Sequence, residues 1–179
     1  VNGISASAKV PPGLSGVVDI AAGQDFALAL RSDGTVTAWG DNSQGQTDVP
    51  AGLANVVAIA AGATHAAALK YDGTVVAWGR NDLGQCDVLR NLTSGVRAIA
   101  CGIHHSLAVK ADGTIVVSGL QPTSSISTAV AVAAGLGNHS IAALSDGTVR
   151  AWGTNEKGQV DVPLELRGVF AVTGGFMTS

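Results

Sequence analysis

The tripeptide Asp-Gly-Thr begins at Asp33, Asp72, Asp112 and Asp146, at spacings of 39, 40 and 34 residues. Self-similarity at that period marks a chain that builds one supersecondary unit and repeats it. Each copy opens a segment ending in Gly: Thr35 to Gly40, Thr74 to Gly79, Thr114 to Gly119 and Thr148 to Gly153. Trp39, Trp78 and Trp152 recur inside it, with Ser118 as the exception. Upstream lies an apolar run closed by Gly, at Val17 to Gly23, Val56 to Gly62, Val96 to Gly102, Val130 to Gly135 and once more at Val169 to Gly175. Downstream come Gly45-Gln46, Gly84-Gln85 and Gly158-Gln159, followed by Asp48-Val49-Pro50, Asp87-Val88-Leu89 and Asp161-Val162-Pro163. The third unit replaces this part with Leu120 to Ser127, rich in Ser and Thr.

Runs of 4 to 7 apolar or alternating residues, broken by Gly or Asp-Gly, have the period of strands. Four short strands per unit are expected. The first, Val56 to Ala61, is apolar on both faces, as in a sheet covered on each side. The second, Ala66 to Leu69, is joined to the third by a tight turn in which Gly73 supplies positive φ. Along the third, the slot of Thr37, Val76 and Arg150 tolerates a charge and is expected at solvent. A short polar fourth strand is expected around Cys86 to Val88, as an outer edge protected from stray pairing. Units of about 40 residues that cannot bury both faces alone predict an all-β fold, a partial β-propeller of four-stranded antiparallel blades. A solenoid of hairpins is the structural alternative. Residues 1–179 read as one repeat region with units near 16–54, 55–94, 95–127 and 128–167, a partial unit at 168–179 and a partial strand in 1–15.

The unit Val56 to Gln85, with Val-Val-Ala-Ile-Ala-Ala-Gly, then His65, then Asp-Gly-Thr-Val-Val-Ala-Trp-Gly and Asn-x-x-Gly-Gln, resembles the regulator-of-chromosome-condensation repeat. It is most similar to the bacterial type found in propeller-type β-lactamase inhibitor proteins and secreted repeat proteins. The resemblance implies a propeller of about seven blades, more than this chain supplies. A piece of a larger propeller, a piece completed by another chain and a divergent small ring are all open. It also implies a range of roles, from guanine-nucleotide exchange to enzyme inhibition, because fold alone does not decide function.

Charge bounds the partners: 10 Lys+Arg against 13 Asp+Glu give −3, without the basic excess that nucleic-acid binding exploits. No stretch of about 18 apolar residues would span a bilayer as a helix. With 46% hydrophobic and only 13% charged residues the chain is composed to fold.

Candidate chemistry is sparse. His65, His105 and His139 hold one slot, seven residues before each Asp, with Phe26 there in the first unit. Three equivalent imidazoles invite a metal, but a blade's width separates such positions, so the expected role is a scaffold bond to local backbone. The four turn aspartates are expected to cap their own backbone. Cys86 and Cys101 read as small apolar residues, with a bond between them as the minor alternative, and the Trp residues as packing rather than base or sugar platforms. No catalytic residue, metal or cofactor is expected.

Parity of a four-stranded blade puts the loops after strands one and three on one side, and the Asp-Gly-Thr turns and the crossings on the other. The first side varies between units. Its candidate partner-binding residues are Gln24 and Asp25, Thr64, Ile103 and His104, and Asn138 in the first set of loops. In the second set they are Asp41, Ser43 and Gln44, then Arg80, Asp82 and Leu83, then Leu120 and Gln121, then Glu156 and Lys157. Asn42, Asn81 and Asn155 repeat and are expected to shape these loops. Variable loops on a rigid scaffold predict a non-catalytic module that binds a protein or a surface glycan, in a bacterial extracellular or cell-surface setting. A structural or self-assembling repeat, forming a homo-oligomer or joined to remaining blades, is the alternative.

Overall fold

The computed structural model describes residues 9–120, 126–135 and 137–175. Four antiparallel sheets of three strands follow one another along these residues. The first blade holds β1 (Val17–Ala22), β2 (Phe26–Arg31) and β3 (Val36–Gly40); the second, β4 (Val56–Ala61), β5 (His65–Lys70) and β6 (Val75–Gly79). A helical turn, α1 (Asp87–Arg90), precedes the third blade, β7 (Val96–Cys101), β8 (His105–Lys110) and β9 (Ile115–Gly119). The fourth is β10 (Ala129–Ala134), β11 (His139–Leu144) and β12 (Val149–Gly153).

Among the described residues the fourth strand expected in each unit is not formed, and around Cys86 the chain makes α1 instead. Local hydrogen bonds explain the difference. The backbone N–H groups of Thr47, Cys86 and Val160, which a ladder would need, donate to the side-chain oxygens of Asn42, Asn81 and Asn155. What reaches the outer edge is one carbonyl at a time: Leu92 O accepts from Val75 N–H, and Ile126 O from Ile115 N–H.

The core lies between blades. One buried cluster joins Phe26, Leu28 and Leu30 to Val56, Ile59, Ala66, Ala68 and Trp78 of the next sheet. Ala67, Leu69 and Val75, on the opposite face of the second sheet, meet Val96, Cys101 and Ala108. A third cluster carries Leu107 and Val109 onto Ala142 and Leu144. Strand alternation therefore feeds the two faces of the second and of the third sheet into different interfaces. A side chain such as Leu28 or Leu107, with 0% exposure, contributes about 2 kcal/mol by leaving water.

Where no neighbour stands, the same sequence slot is wet. Ile20 on β1 is 73% exposed and Ile59, its counterpart on β4, only 9%. The inner strands meet in the order β1, β4, β7, β10, and no comparable contact returns β10 to β1, so the described blades form an open arc.

The blades approach so closely that glycine is required at the end of each inner strand. A Cβ at Gly62 would collide with the His65 ring and with the Gly102 carbonyl of the next blade, whereas one at Gly52, at φ +78°, would meet nothing within 4 Å. Gly62→Ala is expected to cost about 3 kcal/mol through overpacking. Gly52→Ala should cost only the left-handed backbone penalty of about 1 kcal/mol. Urea denaturation of the two variants checks this order.

Candidate functional site

The two sets of variable loops do share one side. In every blade the first residue after the third strand donates its N–H to the last carbonyl of the inner loop: Asp41 to Asp25, Arg80 to Thr64, Leu120 to His104 and Thr154 to Asn138, at 2.8–3.0 Å. The inner loops are also tied to each other, with Gln24 N–H donating to Ala63 O and Ala63 N–H to Gly102 O. On the opposite side the turn aspartates accept the N–H of Thr35, Thr74, Thr114 and Thr148 at 2.9–3.0 Å, the local capping that the Asp-Gly-Thr turns predict. These bonds to threonine hold the carboxyls of Asp33, Asp72, Asp112 and Asp146 below the usual carboxylate range.

The outer loops of the first, second and fourth blades are each built around a clamp. Asn42 accepts from Thr47 N–H and donates to Asp48 at 2.7 Å, while the Gln46 side chain accepts from Gln44 N–H and donates to Asp41. Asn81 with Asp87, and Asn155 with Asp161, repeat the arrangement, and Leu83 N–H and Lys157 N–H bond the Gln85 and Gln159 side chains. The asparagines shape the loops as their recurrence predicts. Their partners Asp48, Asp87 and Asp161 are not among the expected loop residues, although each recurs six residues after its Asn.

Between the clamp residues the side chains differ. Arg80 donates from Nε and Nη2 to both Asp82 oxygens at 2.8 and 2.7 Å. That pairing lowers the Asp82 pKa and raises that of Arg80. Ser43 donates its hydroxyl to Asp41 and, with Gln46, lowers the carboxyl pKa despite some desolvation. Gln24, Asp25, Ser43, Gln44, Asp82, Leu120, Glu156 and Lys157 are exposed; Leu83, Ile103 and Asn138 are half-buried. Thr64 and His104 turn a polar atom inward, to positions with no partner among the described residues. Gln121 lies outside the described residues.

Between blades, side chains cross from one sheet to its neighbour. Trp78 Nε1–H donates to Gln46 O of the preceding blade at 3.0 Å, and Ser118, in the Trp slot, donates to Gly84 O. The tryptophan is packing, as its slot predicts. His65 Nε2 lies 2.8 Å from Ser106 Oγ, and His105 Nε2 lies 2.9 Å from Ser140 Oγ. This corrects the expected bond to local backbone: the imidazole spans the blade interface instead. Ser106 has one proton, directed at Cys101 Sγ, so its oxygen is left to accept from His65 Nε2–H. These serines and histidines are buried at 0% exposure, and no carboxylate bonds either Nδ1 among the described residues. The arrangement latches sheets together and offers no access to a substrate.

Cys86 and Cys101 are both buried and free, with burial raising their thiols to about 11 and about 12. Among the described residues no three His, Cys, Asp or Glu side chains converge on a metal-sized site.

The profile of the Regulator of chromosome condensation (RCC1) repeat matches residues 17–46, 56–85 and 129–159. The matched stretches leave out the third unit, where Trp and the Gly-Gln loop are replaced. No curated protein matches the sequence. Among solved structures, Prp20p from Saccharomyces cerevisiae, described with its binding to Gsp1p and histones, is 27% identical, with TM-score 0.69 over 88% of this chain and 51% of that one. Human WBSCR16 is 20% identical, with TM-score 0.76 over 97% of this chain and 63% of its own. The ectodomain of the Arabidopsis thaliana receptor kinase ACR4 is 24% identical, with TM-score 0.64 over 76% and 50%. The chain thus spans between 50% and 63% of these structures' lengths, and the last two likenesses speak to fold alone.

The latches make stability depend on pH. Burial, and behind it the neighbouring imidazoles, lowers His65 and His105 to about 4. In the unfolded chain the same rings take up protons below about pH 6.5. The unfolded state therefore binds more protons between about pH 6.5 and 4, so stability falls as pH drops through that window and levels off below it. The loss is on the order of 3 kcal/mol per histidine. Urea midpoints measured across this range are expected to decline, and a His65→Phe/Ser106→Ala variant should show about half the slope.

Proposed function

The chain belongs to the regulator of chromosome condensation (RCC1) repeat family, and on that premise we propose that it is a non-catalytic protein-binding module that recognises its partner with the loop face. The observation that carries this reading is the division of labour within the outer loops of the first, second and fourth blades. Asn, Gln and Asp side chains hold the backbone, which leaves the positions between them free to differ without loss of shape. Recognition residues are characteristically placed this way, on loops held by a rigid scaffold.

The second and third blades supply the most suitable anchors. Arg80 is held as a planar fork by Asp82, Leu120 is 57% exposed, and Leu83 and Ile103 lie half-buried on the same side. Apolar contact around a guanidinium is the composition found at the centres of protein interfaces. The similarity to Prp20p, a protein described with protein partners, supports a protein ligand here, as does a net charge of −3. We further propose an extracytoplasmic bacterial setting, on the resemblance to secreted repeat proteins.

Replacing Arg80, Leu83, Ile103 and Leu120 together by Ala is expected to lower partner capture by the immobilised chain at least tenfold. Lys70→Ala/Tyr71→Ala, on the turn side, should leave capture unchanged. Equal capture by the natural chain and the fourfold variant would place recognition elsewhere. Guanine-nucleotide exchange, the other role implied by the family, should be absent from a nucleotide-release assay, and acceleration there would displace this reading.

A further inference from the structure

Every interface between blades is closed near the axis by a ring from one blade and a small residue from the next, and two kinds of pair occur. Phe26 shares a buried apolar cluster with Ala66, whereas His65 bonds Ser106 and His105 bonds Ser140. Ala27, Ala66, Ser106 and Ser140 are one slot, each directly after the ring residue of its own blade. A phenyl ring is met by a methyl, an imidazole by a hydroxyl. The mismatch of imidazole against methyl would bury an N–H without an acceptor.

On the first blade, nothing among the described residues covers the receiving half of this arrangement. Val18 and Ile20 are 62% and 73% exposed, and Ala27 stands in the small-residue slot. Among the described residues no loop offers Trp39 the carbonyl that Gln46 gives Trp78. The backbone leading in has the form of a crossing between blades. Leu14 N–H donates to Pro11 O as Leu53 N–H does to Pro50 O. Val10, 58% exposed, holds the place at which Val49 packs on the first interface.

We infer that the exposed β1 face accepts a blade of the same repeat only when that blade presents an apolar ring, rather than a histidine, to Ala27. The ring and small-residue pairs thereby determine which blade can stand next to which. A second copy of this chain does not fit. Residues 168–175 already lie on the fourth blade, with Val169 N–H donating to Gly147 O, and displacing them would set His139 against the Ala27 methyl. The pairing predicts a hydroxyl after His139, and Ser179, outside the described residues, stands four positions after Gly175 as Ser106 does after Gly102.

The test duplicates residues 16–54 ahead of Gly16, so that Phe26 of the added blade faces Ala27, and compares this chain with one whose added blade carries Phe26→His. The first is expected to raise Tm by about 5 °C and to shift tryptophan emission to the blue as Trp39 becomes covered, while the second loses at least half of that gain. Equal gains would overturn the pairing rule, and no gain in either would overturn the seat. Should an extended chain not fold, the rule is read within the natural one: His65→Phe/Ser106→Ala is expected to melt above Ser106→Ala alone, and the reverse order would overturn it. Light scattering on the natural chain should give a monomer; a dimer in which Ile20 is protected from hydrogen exchange would make a second copy the occupant and overturn the inference.

Discussion

A three-stranded sheet that is apolar on both faces is not stable until something covers each face, and that requirement organises this protein. Leu28 and Leu107 reach 0% exposure only because a neighbouring sheet lies across them. Small residues make the approach possible. β5 brings three successive alanines, Ala66 to Ala68, all at 0% exposure, to the space between blades, and the glycine ending each inner strand leaves room for the ring of its own blade beneath the next backbone. Stability is thus a property of neighbouring blades more than of any one, as in repeat architectures generally.

The same closeness explains why the polar contacts between blades are few and paired. A buried imidazole or indole in such a narrow space has no water to turn to, and it is satisfied only where the adjacent blade supplies an acceptor or donor. His65, His105 and Trp78 do so across blade boundaries. The histidines are therefore neutral structural latches, although a row of imidazoles beside serines resembles a reactive arrangement on paper.

On the loop side the constraint relaxes. The Asn and Asp clamp holds an outer loop with its own side chains, so its shape depends little on the residues between. Arg80 with Asp82 in one blade, Asp41 with Ser43 in another, and Glu156 with Lys157 in a third occupy nearly the same frame with different chemistry. A family defined by such a frame can change partners without changing fold.

Much of this was legible in the residues alone, and the division follows the range of the forces. Turns at Asp33, Asp72, Asp112 and Asp146, strands on either side of them, and loops shaped by Asn42, Asn81 and Asn155 depend on atoms within about seven residues of one another, so a single repeat suffices to read them. The short polar stretch around Cys86 has the look of an outer edge strand, but the Asn81 side chain takes the N–H that a ladder needs. The partners of His65 and His105 lie 41 and 35 residues away, and nothing local announces them. Only tertiary structure, by placing one blade on the next, decided which groups would be dry, which hydroxyl each imidazole would meet and which face would stay open. Those outcomes depend on adjacency in space, which a periodic sequence implies but does not specify residue by residue.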